Sequence, residues 1–178
     1  MGTPITNDEF GRMLREFETS AFRLELQPAY SEPTEHATMA RFLAGDPQPP
    51  IEVPELRAWF DQIRRFTAEG KSICRVRVHE DPPTDYQRWE RWIGQWNTEA
   101  GEDIAYLTRQ QAYDIGLLPD AGDTDWWLLD DATLILMRFD GDGRRILNEV
   151  ERDPHMVARA RAWRDLAVHV AKRKGAPA

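Results

Sequence analysis

Two stretches of this chain alternate with a period of two between apolar side chains and ions. In residues 20–26, Phe22, Leu24 and Leu26 fall on one side, and Ala21, Arg23 and Glu25 on the other. In residues 71–79, Cys74, Val76 and Val78 share one side, and Ile73, Arg75, Arg77 and His79 the opposite one. Successive side chains of a β-strand point to opposite faces, so each run predicts a strand with one apolar and one largely charged face. Any fold open to this chain therefore contains a sheet with a polar row across it.

Helical patterns interleave with these strands. Thr6 or Asn7 caps a helix to about Phe17, with Phe10, Met13, Leu14 and Phe17 at helical spacing. Pro33 opens a second helix that ends at Gly45, and residues 46–54, with four prolines in nine positions, form an extended connector. A third helix runs from about Pro54 to Glu69, stops at Gly70 and carries Trp59, Ile63 and Phe66 on one face. Beyond the Pro82-Pro83 break, Thr84 or Asp85 caps a helix through about Thr98. Residues 102–108 read as a short strand, and 110–124 as a loop with at most one helical turn.

Residues 125–131 and 133–139 read as strands, and Asp140-Gly141-Asp142-Gly143 is a turn into a third, 144–151. Asp153 with Pro154 starts a last helix bearing Met156, Val157, Ala160, Trp163, Ala167 and Val170. The expected fold is α+β. One domain spans 1–178, with an ordered core at about 7–172 and a short polar tail at 173–178. Its sheet is mixed or mainly antiparallel, ends in a C-terminal β-meander and is covered by about five helices.

Composition narrows the function. With 31 acidic and 23 basic side chains the formal charge is −8, which argues against a general nucleic-acid coat. Seven Trp, seven Phe and four Tyr supply a real core, unlike a disordered chain. Residues 95–153 hold 14 acids and 5 bases, while 154–178 hold 6 bases and 1 acid. In that basic end Lys172, Arg173 and Lys174 compensate a helix macrodipole. A single cysteine, Cys74, fits a reducing compartment. No apolar run approaches the ~20 residues that span a bilayer, and residues 1–17 carry Asp8, Glu9 and Glu16 without an apolar signal region. A cytoplasmic location without membrane contact is expected.

Several chemistries lack their motifs. There is no phosphate loop and no G-x-G-x-x-G. His36, His79, His155 and His169 lack the spacing of a helical zinc pair, and the serines Ser20, Ser31 and Ser72 sit in no nucleophile elbow. The Asp140 turn fails as a calcium loop, because Arg144 and Arg145 stand where a ligand and a glycine are needed. No metal and no cofactor are expected.

Two constellations remain. Tyr86, Trp89, Trp92, Ile93 and Trp96 form a broad apolar helix stripe. Trp126 and Trp127, adjacent on a strand, send their rings to opposite faces, so at least one lies outside a one-sided core. Trp89, Trp92, Trp96, Trp126 and Trp127 are thus either core or an aromatic pocket or partner surface. The second set is polar: Arg23, Glu25, Arg75, Arg77, Tyr86, Glu90, Glu102, Asp130 and Asp131. On neighbouring strands these groups make cross-strand salt bridges on a solvated face, or line a charged cleft for a planar, polar or anionic ligand.

Six stretches resemble an actinobacterial domain family of unknown function. They are Ser20-Ala21-Phe22-Arg23-Leu24-Glu25, Phe42-Leu43-Ala44-Gly45, Arg75-Val76-Arg77-Val78, Asp85-Tyr86, Ala100-Gly101-Glu102-Asp103-Ile104 and Trp126-Trp127-Leu128-Leu129-Asp130-Asp131. The likeness runs from about Asp8 to Trp163, with Trp126 standing where the family usually has Phe. Such proteins are commonly encoded beside helix-turn-helix regulators in streptomycete-like genomes. The resemblance implies a regulatory neighbourhood and no mechanism.

The leading expectation is a non-catalytic regulatory partner of a helix-turn-helix DNA-binding protein, able to take a small ligand. The alternative is a hydrolase or nuclease-like enzyme using Arg75, Arg77, Glu90, Glu102 and Asp130 in a polar cleft. Direct DNA binding through the last helix is disfavoured by the absence of a helix-turn-helix and by the negative charge.

Overall fold

The structure is a computed structural model describing the backbone of residues 2–175 and the side chains of 2–171. The side chains of Lys172, Arg173 and Lys174, expected to compensate the last helix dipole, lie outside the described residues.

The alternating runs form β2 (Ser20–Glu25) and β3 (Ser72–His79), which pair in parallel. The helices between and after them are α1 (Asn7–Glu16), α2 (His36–Leu43), α3 (Pro54–Ala68) and α4 (Asp85–Ala100). Thr6 and Thr84 each accept a backbone N–H and receive the reciprocal Glu9 or Gln87 side chain, so both caps are capping boxes. Next come β4 (Asp103–Thr108), α5 (Arg109–Asp114), the meander β5 (Asp125–Leu129), β6 (Thr133–Phe139) and β7 (Arg145–Glu151), and α6 (Pro154–Gly175). With β1 (Thr3–Ile5), the seven strands lie in the order β1-β7-β6-β5-β2-β3-β4. β2, β3 and β4 are parallel, and the remaining pairs are antiparallel. The protein is α+β with one open mixed sheet and six α-helices.

One local expectation changes and two details are added. Residues 33–35 form a turn, so α2 begins at His36 rather than at Pro33. The helical turn allowed within 110–124 is α5, with Thr108 and Gln111 making a third capping box. The short β1 escapes periodicity because three residues show no period; backbone pairing with β7 defines it.

The sheet is covered on both faces. Phe22, Leu24, Val76, Val78 and Trp126 pack with α5 and α6 in one core. Ala21, Ile73, Trp127 and Met137 pack with α1, α3 and α4 in the other. Both Trp126 and Trp127 are therefore buried, at 1% and 2% exposure, and neither lies outside a core. The charged face of β2 and β3 lies on the α3/α4 side, under helices instead of in solvent.

Candidate functional site

Strand register builds the floor of the site. The parallel pairing sets Arg23 beside Arg75 and Glu25 beside Arg77, so Glu25 is flanked by three guanidinium groups. Its Oε1 accepts from Arg75 Nη1 at 2.7 Å and lies 3.0 Å from Arg23 Nη1, while Oε2 accepts from Arg77 Nε at 2.6 Å. Each arginine also has a second carboxylate. Arg23 donates to Asp125 at 3.0 Å and Arg75 to Glu102 at 2.6 Å, and Arg77 Nε lies 3.0 Å from Glu90 Oε1. Glu90 Oε2 faces His79 Nε2 at 3.2 Å, and Asn97 donates to Glu102 at 2.6 Å. Glu25, Arg75, Arg77, His79, Glu90, Glu102 and Asp125 are all buried.

Helix α4 closes this row from above, and its sequence makes room for it. A Cβ on Gly94 would stand 3.1 Å from both Arg77 Nη1 and the Tyr106 hydroxyl. The helix thus gives up ~1 kcal/mol of propensity where a side chain would press on the guanidinium. Arg77 Nη1 donates instead to the Glu90 carbonyl at 3.1 Å.

Burial by itself would raise the Glu25 carboxyl, but the charges of Arg23, Arg75 and Arg77 outweigh it and hold it well below the ordinary carboxylate range. Asp125 moves the other way: burial raises it despite Arg23, the Tyr30 hydroxyl at 2.6 Å and the Leu26 N–H at 2.8 Å. Glu35, in the turn before α2, accepts from the Tyr86 hydroxyl at 2.7 Å. Burial pushes its carboxyl up to about 7, against that hydrogen bond and assisted by the charges of Glu90, Glu32 and Glu25.

Two cavities sit on this floor. One of about 360 Å³ lies among α1, α3, α4 and the sheet, lined by Leu14, Trp59, Phe60 and Trp127 among others. One of about 100 Å³ lies toward Tyr30, Tyr86, Trp89 and Glu90. Arg23, Glu32, Glu35, Arg75, Arg77 and Arg145 line both. Four buried donors in these linings, Arg23 Nε, Arg145 Nε, Trp89 Nε1 and Trp127 Nε1, have no acceptor within the protein. Each of the four exposes almost no surface, and Gln87 Nε2 and Trp126 Nε1, the latter in the core on the opposite face of the sheet, are unpartnered in the same way.

Arg145 differs from the other three arginines. Among the described residues it makes no ion pair; its guanidinium lies 4.9 Å from the Phe10 ring centroid. Burial lowers its pKa, with Glu32 opposing and Arg23 adding to the effect. Its hairpin is fixed against the chain that carries Tyr30. Gly143, at φ +77, lies where a Cβ would be 2.7 Å from the Ala29 carbonyl, and its own carbonyl accepts the Ser31 N–H at 2.9 Å.

Of the polar residues singled out by sequence, Arg23, Glu25, Arg75, Arg77, Tyr86, Glu90 and Glu102 come together here. Asp130 and Asp131 do not. Asp130, just past β5, has φ 54 and accepts the backbone N–H groups of Glu18, Thr19 and Ser20, while Asp131 pairs with Arg164 of α6. Period two explains the difference: Asp125, Trp127 and Leu129 share a strand face, which makes Asp125 the acid that meets Arg23. Glu35 and Arg145 carried no such signal. Glu35 sits in a turn, and a register irregularity between Arg138 and Phe139 hides the side to which β7 sends Arg145.

The aromatic set divides as well. Trp89, Trp126 and Trp127 are buried, which removes them from any partner surface. Trp92 and Trp96 are half-buried, with ring centroids 5.0 Å apart and Phe42 5.3 Å from Trp92.

Fold and site together define a two-core α+β protein with a buried, arginine-lined cleft. The chain belongs to the family described as Domain of unknown function (DUF6879), whose profile matches residues 8–174. No curated protein matches it. No helix among the described residues is long and apolar enough to cross a membrane.

Proposed function

We propose that this protein is a small-molecule-binding domain whose ligand enters the cleft between the sheet and α1, α3 and α4. The observation that carries this reading is the cavity itself, in whose lining Arg145, without an ion pair among the described residues, stands with Leu14, Trp59, Phe60 and Trp127. A space of about 360 Å³ falls in the range of small-molecule pockets, ~300–1,000 Å³. The binding is non-catalytic in this reading, because Glu25, Glu90 and Glu102 are each held by arginine.

The output of binding is regulatory: the occupied protein engages a cytoplasmic helix-turn-helix regulator of the kind encoded beside its actinobacterial relatives. That part rests on the resemblance alone. A catalytic reading has one favouring observation, Glu35, whose carboxyl titrates at about 7 beside the Tyr86 hydroxyl. It would make Glu35 a general acid for a hydrolytic reaction.

The test is an NMR fragment screen read at the indole N–H groups of the seven tryptophans. Binding in the cleft shifts Trp127 and Trp89 and leaves Trp126, in the core on the opposite face of the sheet, in place. A diverse library that moves neither Trp127 nor Trp89 overturns the proposal.

A further inference from the structure

The sheet ends on two edges of unlike character. β1 is three residues long and contains Pro4, which has no N–H to offer. β4 runs six residues, Asp103–Thr108, without proline, and pairs only with β3. An edge strand turns a row of backbone N–H and C=O groups away from its one neighbour. Among the described residues, nothing but β3 bonds the backbone of Ile104, Ala105, Tyr106 and Leu107. This open edge lies in a groove of about 610 Å³, lined along its length by residues 103–108 and walled by Arg91 of α4, Gln111 of α5 and Ala171 of α6. We propose that the groove is a docking site for an extended segment of another protein, which adds to β4 as an eighth strand and brings a carboxylate to Arg91 midway along it. Walls stand on both sides of the edge. A single strand of about 20 Å fits between them, whereas the β4 of a second copy sits behind walls of its own.

The two faces of the edge set the side chains of the guest. On the α4 face, Ile104 and Tyr106 come up against Gly94. Arg91 lies over Tyr106, 4.6 Å from its ring centroid, with Nη2 3.5 Å from His79 Nδ1. It is exposed and, among the described residues, makes no ion pair, so its charge is open to a carboxylate from outside. On the α6 face, Ala105 and Leu107 belong with the apolar core, and Ala171 borders the groove. Side chains of an added strand alternate in the same way, apolar toward α6 and polar toward α4. Glu80 is already held by Arg109, and Asp81 and Asp103 mark the two ends of the groove, which confines the guest's carboxylate to the middle.

The experiment is an NMR titration of the isotope-labelled full chain with the capped peptide KVTVEVTVK and its central-lysine version KVTVKVTVK. Two further forms of the first peptide are N-methylated, one at the valines and one at the residues between them. KVTVEVTVK should shift the backbone amides of residues 104–107 and leave those of Thr3–Ile5 in place. One methylated form should lose binding and the other keep it, because an added strand pairs through alternate amides. Wild type should prefer the central glutamate about 3–10-fold, and Arg91→Glu, an exposed change, should reverse that order. No shift at residues 104–107 with either peptide at millimolar concentration overturns the proposal. So does binding that both methylated forms keep, or a preference that Arg91→Glu leaves unchanged. A concentration-dependent dimer that protects the same amides from hydrogen exchange assigns the edge to a second copy and overturns it too. None of these outcomes depends on the cleft, which is read at the Trp127 indole.

Discussion

Glu25 is the residue on which the buried polar row turns, and Glu25→Gln tests it without changing its shape. The wild-type carboxylate accepts from Arg75 and Arg77 at 2.7 and 2.6 Å and lies 3.0 Å from Arg23, at 4% exposure. The amide keeps one acceptor oxygen and turns an NH2 against a guanidinium, leaving donors facing donors out of reach of water. Each arginine still has its second carboxylate, Asp125, Glu102 or Glu90, so no cation is left unpaired. The loss therefore belongs at the lower end of the range for breaking a buried pair, about 3 kcal/mol. That is a large part of the ~5–15 kcal/mol total of a typical domain. Urea unfolding followed by tryptophan fluorescence at pH 7 measures it. Because the folded carboxyl titrates well below its unfolded value, its contribution is whole at neutral pH and is lost only as pH falls through that low value. A loss under ~1 kcal/mol, as for a solvated surface pair, would refute the reasoning.

Arg145→Met removes a half-buried cation without an ion pair, so stability should stay within ~0.5 kcal/mol of wild type or rise, in contrast to Glu25→Gln, when both are read by the same urea titration. Glu35 has a folded pKa of about 7, above its unfolded value, so wild-type stability should fall as pH rises from 5 to 8, and Glu35→Gln should flatten that dependence. Parallel melting-temperature profiles for the two proteins would contradict it; Tyr86, Glu90, Glu32 and Glu25 are the groups facing this carboxyl. Asp130→Ala should cost about 2–3 kcal/mol, through three lost backbone amide bonds and a left-handed residue, and leave fragment shifts at the Trp127 indole unchanged. Lost fragment binding in a folded Asp130→Ala protein would place Asp130 in the cleft after all.

Much of this was legible in the sequence because period two is a hard constraint. The alternation in residues 20–26 and 71–79 assigns Arg23, Glu25, Arg75, Arg77 and His79 to one face, and the parallel register then brings them together. Whether that face is wet or dry was not legible. It depends on α3 and α4 crossing above it, a tertiary fact that an isolated strand does not encode. The Trp126-Trp127 pair shows the same limit: its rings do take opposite faces, but each face has its own core, so both rings are buried. Asp125 was readable by parity with Trp127, whereas Asp130 and Asp131 lie past the strand end, where parity no longer holds. Glu35 and Arg145 were hidden for physical reasons, one in a turn and the other behind a register shift.

A crystal structure of the full chain tests the central claim, a buried arginine–carboxylate row beneath an open cavity, most directly. The account requires Glu25 within hydrogen-bond distance of Arg75 and Arg77 and a cavity of about 360 Å³ bordered by Arg145, Trp59 and Trp127. A Glu25 carboxylate open to solvent, or a cavity filled by the protein's own side chains, would contradict it.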